Sequence, residues 1–145
     1  MKQTIKIACL LSLVFFLFYC KKSSVTNPNV NFTATLNGSN EVPAKTTSGT
    51  GTAAGAFNND TKMLRLTITY SGLSGPAVAA HIHKGAPGIS GPVVFPFAST
   101  TSPITFTSPV LDSSEVADLN EGNFYVNIHT SANPGGEIRG QLVKQ

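Results

Sequence analysis

Leu64-Arg-Leu-Thr-Ile-Thr-Tyr70 decides the fold: apolar residues at 64, 66, 68 and 70 alternate with Arg65, Thr67 and Thr69. A period of two places one set of side chains on each face of a β-strand, apolar toward a core and polar away from it. The same alternation recurs on either side. Val30, Phe32, Ala34 and Leu36 alternate with Asn31, Thr33 and Thr35; Ile104 and Phe106 alternate with threonines; Ile138 and Leu142 flank Gly140. Turn-forming residues separate these runs at Asn37-Gly38, Asn58-Asn59-Asp60, Ser74-Gly75-Pro76, Ala86-Pro87-Gly88 and Asn133-Pro134-Gly135-Gly136. Thr50 to Phe57, small and glycine-rich, reads as a further strand, tightly packed or at an edge. Seven or eight short strands predict an all-β fold, a single antiparallel β-sandwich or flattened Greek-key barrel. One short helix interrupts it: Asp112-Ser-Ser-Glu115 has the form of a capping box, Val116 and Leu119 follow three apart, and Gly122 ends the segment.

The N-terminus has a different character. Lys2 and Lys6 precede an apolar run from Ile7 to Tyr19, shorter than the roughly 20 residues a spanning helix needs, so the segment reads as an export signal. Leu17-Phe-Tyr-Cys20, followed by Lys21-Lys22-Ser23-Ser24, resembles a bacterial lipoprotein lipobox, although Tyr19 stands where a small residue is usual. That resemblance implies lipidation of Cys20, which becomes the first residue of the processed protein and anchors it in a membrane. The alternative is an ordinary secretory peptide with an incidental cysteine. The expected organisation is therefore residues 1–19 as signal peptide, 20–30 as lipidated cysteine and linker, and 31–145 as one domain. The expected location is the cell envelope, at the outer membrane or facing the periplasm.

Charge and cysteine content exclude several function classes. The chain is formally +3, but Lys2, Lys6, Lys21 and Lys22 precede the domain. From Asn31 onward six cations (Lys45, Lys62, Arg65, Lys84, Arg139, Lys144) face seven anions (Glu41, Asp60, Asp112, Glu115, Asp118, Glu121, Glu137). Near-neutrality with no basic stripe argues against nucleic-acid binding. The two cysteines, Cys9 and Cys20, both precede the domain, so it has neither a disulfide nor a thiolate metal site. Nucleophile elbows, phosphate loops and dinucleotide fingerprints are missing, and the carboxylates are scattered through loops; no catalytic residue is assigned.

The chain's three histidines supply its most specific chemistry. His81 and His83 lie in Val78-Ala-Ala-His-Ile-His83, and His129 ends Phe124-Tyr-Val-Asn-Ile-His129. Strand parity puts His81 and His83 on one face, and Tyr125, Asn127 and His129 opposite the apolar Phe124, Val126 and Ile128. All three imidazoles are expected on the polar side, forming a mononuclear site open to solvent. Imidazole suits copper and zinc, and a strand His-x-His pair converges on one ion when the two rings present different nitrogens. Protons compete with the ion, so affinity is expected to fall as pH drops through about 6.5. Glu137 and Arg139 share the face opposite Ile138 and are placed to support His129 by hydrogen bonding if their strands pair. The competing reading gives the histidines hydrogen bonds to backbone, Thr130 or Glu137 and no further role. Glu41 reads as a turn residue satisfying backbone amides.

Five segments in order resemble the chordin-type (CHRD) domain family from Phe32 to the C-terminus. They are Leu36-Asn-Gly-Ser-Asn-Glu-Val-Pro43, Ala80-His-Ile-His-Lys-Gly-Ala-Pro-Gly88, Gly91-Pro-Val-Val94, Gly122-Asn-Phe-Tyr-Val-Asn-Ile-His-Thr130 and Pro134-Gly-Gly-Glu-Ile-Arg-Gly-Gln-Leu142. The resemblance implies an extracytoplasmic β-sandwich; bacterial members are mostly secreted or lipidated, and the family sets no biochemical role for them. The order of His81, His83, His129 and Arg139 is more distantly similar to copper–zinc superoxide dismutase, which implies copper on the histidines and an arginine guiding an anion. A bridging histidine, a zinc cluster and the family's disulfide are all lacking. Two functions are expected from these readings. One is a lipid-anchored, non-enzymatic module binding an extracytoplasmic protein or glycan. The other is a copper- or zinc-binding module on His81, His83 and His129.

Overall fold

The structure is a computed structural model describing residues 27–145. Cys20, the apolar leader and the lysines beside it lie outside the described residues. Nine strands form one curled antiparallel sheet: β1 (Asn29–Asn37), β2 (Thr50–Asn58), β3 (Met63–Ser71), β4 (Ala77–Lys84), β5 (Val93–Pro96), β6 (Ile104–Thr107), β7 (Phe124–Thr130), β8 (Asn133–Gln141) and β9 (Val143–Lys144). The order is β5-β4-β7-β8-β1-β2-β3-β6, and the two-residue β9 pairs with β1 beside β8. The expected sandwich is therefore present, with eight strands on the continuous path.

The alternating runs explain the curl. Phe32 and Leu36 of β1, Phe57 of β2, Leu64 and Ile68 of β3, Ile82 of β4, Ile128 of β7 and Ile138 of β8 are all fully buried. One apolar face on every strand drives the sheet to fold over on itself, because a flat sheet leaves that face in water. The two ends of the path meet through aromatic rings: Phe95 on β5 lies 6.0 Å from Phe106 on β6, and Phe97 lies 5.0 Å from it. The glycine-rich run is internal rather than an edge. As β2 it pairs with β1 from Asn29↔Asn58 to Asn37↔Thr50 and with β3 along its other side.

The helix α1 (Ser113–Asn120) starts as its sequence predicts. Asp112 accepts from the backbone N–H groups of Ser114 and Glu115, and Glu115 accepts from the N–H of Asp112. Leu119 fills the core, and Gly122 follows with φ +74°. One turn is displaced: the Asn133–Gly136 signal lies inside β8, and the reversal falls on Ser131-Ala132.

The face away from the core departs from expectation. Every residue of β7 is buried, including Tyr125, Asn127 and His129 on its polar side. Two loops, residues 38–49 and 85–92, fold over that outer face. Gln141 donates to the carbonyl of Gly85, Arg139 donates to those of Asn40 and Ile89, and Ser90 Oγ reaches the Val42 carbonyl at 3.5 Å. Glu137 fastens the same region. Thr47 Oγ1, Ser74 Oγ and Thr130 Oγ1 each donate to its carboxylate at 2.6 Å, and the Ser74 N–H donates at 2.7 Å. Burial pushes this carboxyl up, but the hydrogen bonds from Ser74, Thr130 and Thr47 outweigh it and hold Glu137 at about 2. The result is a second, polar interior beneath the loops.

Candidate metal centre

The three imidazoles converge in that polar interior. β4 and β7 pair so that Ala79 faces His129, His81 faces Asn127 and His83 faces Tyr125, with an irregularity between Ala77 and Ala79. One ring nitrogen from each of His81, His83 and His129 lies within 4.8 Å of the other two. Ring centroids are 5.0 Å apart for His81–His129, 5.5 Å for His81–His83 and 5.9 Å for His83–His129.

Hydrogen bonds set the tautomers. Nδ1 of His83 lies 2.9 Å from the Gly91 carbonyl, and Nδ1 of His129 lies 3.0 Å from the Pro134 carbonyl. A carbonyl only accepts, so both Nδ1 atoms carry protons and both Nε2 atoms keep their lone pairs. Nε2 of His83 is buried with no hydrogen-bond partner. Nε2 of His129 lies 3.2 Å from Nδ1 of His81, which donates to it. Two nitrogens bound at about 2.05 Å to one tetrahedral ion stand about 3.3 Å apart. The strand pair therefore offers different nitrogens, Nδ1 from His81 and Nε2 from His83, beside Nε2 of His129. Burial first, and then the charges of His129 and His83, push His81 below the ordinary imidazole value. Burial likewise pushes His129 down, against a smaller upward pull from its Pro134 bond.

The surroundings correct three expectations. The site is not open: His83 and His129 are 9% and 7% exposed, because loop 85–92 and the β8 turn cover them, and His81 is the more accessible ring. Glu137 does not support His129, since its carboxylate is engaged by Thr47, Ser74 and Thr130. Arg139 does not support it either. Its partners are Asn40, Ile89 and the ring of Tyr125, 4.7 Å from the guanidinium carbon. The groups that orient the imidazoles are backbone carbonyls, of Gly91 and Pro134.

Tyr125 and Gly91 also belong to the site, although no sequence motif gives either a role in it. The Tyr125 ring stacks on His83 at 5.0 Å with 10° between planes, and the Gly91 N–H donates to the Tyr125 hydroxyl at 3.1 Å. One residue thus holds both rings. Parity places Tyr125 on the histidine face; nothing local in the sequence marks Gly91. Glu41 is also more than a turn residue. Its backbone N–H donates to the Gly38 carbonyl, while the side chain, expected to accept from backbone amides, is buried at 6% exposure with its Oε1 unpartnered. A hollow of about 800 Å³ lies on the opposite half of the sheet among Thr33, Thr67, Thr105 and Thr107, with Arg65 its one ionisable side chain.

A family model described as CHRD domain matches residues 32–142, which takes in all three histidines, Gly91, Glu137 and Arg139. No curated protein and no solved structure matches the chain.

Proposed function

The chain belongs to the CHRD domain family, a β-sandwich module with a binding role, and we propose that what it binds is a single copper or zinc ion on His81, His83 and His129. One observation carries this reading: one ring nitrogen from each of three histidines meets the others within 4.8 Å while two of the rings are fixed from behind by backbone carbonyls. Fixing Nδ1–H aims Nε2, and such outer contacts commonly contribute 10–100-fold in metal affinity. The orphaned Nε2 of His83 supports it further, because a buried polar atom without a partner is unfavourable until something occupies its lone pair. For His81 to ligate through Nδ1, its proton moves from Nδ1 to Nε2, so that the ring stays neutral and the Nδ1 lone pair is freed. Three imidazoles leave a further coordination position, on the side of the more exposed His81. The proposed setting is the cell envelope, with Cys20 carrying the lipid and the residues before β1, 21–28, as tether, two fewer than the expected linker because Asn29 and Val30 pair with β2. The role in this proposal is ion binding without catalysis.

Calorimetric titration of the detergent-solubilised full chain with Cu(II) and with Zn(II) tests it. One equivalent is expected, with affinity falling at least tenfold in both His81→Ala and His129→Ala. Binding of the same strength in either variant overturns the assignment.

A further inference from the structure

Loops 38–49 and 85–92 cover the outer face only over β7 and β8; over β1, β2, β3 and β6 that face is open. Thr35, Thr52 and Thr69 stand side by side there across β1, β2 and β3. One rank along, Thr33, Ala54, Thr67 and Thr105 do the same across β1, β2, β3 and β6. Three hollows lie end to end over β2: about 590 Å³ around Thr52, about 800 Å³ around Ala54, and about 330 Å³ beside Ala56 and Asn58. The register explains the trough. Ala54 lies between Thr33 and Thr67, and Ala56 between Asn31 and Arg65, so short side chains on β2 form a floor between longer ones. Nine residues of β2 at about 3.3 Å each make it about 30 Å long.

Arg65 is the one ionisable side chain lining the three hollows. Exposed surface ordinarily mixes charges of both signs, so strand propensity accounts for the threonines but not for the shortage of charge. Of the exposed large apolar residues, Val42, Val78, Ile89, Val93, Val110 and Val143, none lines the trough. It therefore lacks the apolar centre of a protein interface and the basic stripe of a nucleic-acid surface. What it presents is hydroxyl groups, with the amides of Asn31, Asn58 and Gln145 among them. Each hydroxyl both donates and accepts. Those of Thr52 and Thr69 bond to each other at 3.0 Å, which leaves both with capacity to spare.

We infer that the trough is a binding groove for a linear neutral polysaccharide. Sugar hydroxyls also donate and accept at once, so they pair with threonine hydroxyls and side-chain amides without any charge on either partner. The threonine methyls and the Ala54 and Ala56 side chains meet the C–H faces of the rings. The length suits several linked sugars rather than one. The groove lies away from the three imidazoles and stands whether or not they hold an ion.

The detergent-solubilised full chain is titrated calorimetrically with cellohexaose, laminarihexaose and maltohexaose, with glucose, and with hexagalacturonate. One-to-one binding of at least one neutral hexasaccharide is expected, at least tenfold tighter than glucose. Binding of none of the three, or tighter binding of hexagalacturonate, which only Arg65 could favour, overturns the inference. Ala54→Trp fills the trough from an exposed position and is expected to abolish binding at unchanged Tm. Thr67→Val and Thr69→Val keep the shape and the strand propensity but remove a hydroxyl, and each is expected to weaken binding about 2–10-fold. Undiminished binding in Ala54→Trp, or unaltered affinity in both valine variants, overturns the inference.

Discussion

Gly91 holds His83 in place: its carbonyl accepts the Nδ1–H of His83 at 2.9 Å while its own N–H donates to the Tyr125 hydroxyl stacked against that imidazole. The position admits only glycine, because a Cβ there runs into the backbone carbonyl of Lys84. Loop 85–92 thereby comes close enough to β4 for one residue to orient two rings.

Gly91→Ala is accordingly expected to act on metal affinity beyond its effect on stability. Displacing the loop removes the Gly91 bond to His83, and loss of such an outer contact costs about 10–100-fold in affinity. The variant is also expected to lose about 1–3 kcal/mol of stability through overpacking. Zinc titration and thermal melts of the same samples check both. A full stability loss with unchanged zinc affinity contradicts the orienting role.

Glu137 is the fastening of the polar interior, and its effect depends on pH in a defined direction. The folded carboxyl sits at about 2 against an ordinary value of 4.5. Its contribution is therefore complete above about pH 4.5 and disappears as pH falls toward 2. Glu137→Gln puts an amide against three hydroxyl groups and an N–H that all donate, and is expected to cost about 2–3 kcal/mol at pH 7. Melts of both proteins from pH 7 to pH 2 should show the gap closing below pH 4.5.

Glu41 runs the opposite way. Its folded value is raised to about 7, so its contribution is full below about pH 4.5 and lost as pH rises through 7. Glu41→Gln is expected to leave Tm unchanged at pH 4.5 and raise it by a few degrees at pH 8. An equal shift at both pH values contradicts burial of an ionising carboxyl.

How much of this was legible in sequence depends on the range of the interaction. Period-two alternation exposed the strands, the core and the shared face of His81 and His83, because parity is local. The capping box at Asp112 was legible for the same reason. Pairing of β4 with β7 joins residues 40 or more apart, so the meeting of His81 with His129 follows from parity only once the topology is known. Least visible was the cover over the outer face. Residues 38–49 and 85–92 have no periodicity, and nothing within them announces that they fold onto β7 and β8. Burial of Glu41, Asn127, Glu137 and Arg139 beneath them is a tertiary outcome, and it turned an expected solvent-facing site into an interior one. Glu137 and Arg139 share that face by parity, but their partners come from these loops, from Ser74 and from β7 rather than from the histidines.

Cys20 lies outside the described residues, and its role is tested by fractionation. Lipidation needs the thiol, so Cys20→Ser is expected to move the protein from the membrane fraction to the soluble extracytoplasmic fraction. A variant still sedimenting with membranes in the wild-type proportion rules out acylation at Cys20 as the anchor.

Metal binding to the folded state must also appear as stability. Three imidazoles from two strands converge only when β4 and β7 are paired, so an unfolded chain offers the ion no comparable site. Free metal at 100 times its dissociation constant then adds about 2.7 kcal/mol. For a domain of this size, that corresponds to a rise in Tm of about 8–15 °C. A chelator in excess should reverse the rise fully. His129→Ala removes the ring that links the two strands at Nε2, and in that variant Tm should not respond to zinc. His83→Ala should behave alike, since its Nε2 is the buried nitrogen without a partner. If instead the wild-type Tm stays flat up to millimolar zinc and copper, the convergence of the imidazoles is a hydrogen-bonded arrangement and no ion site.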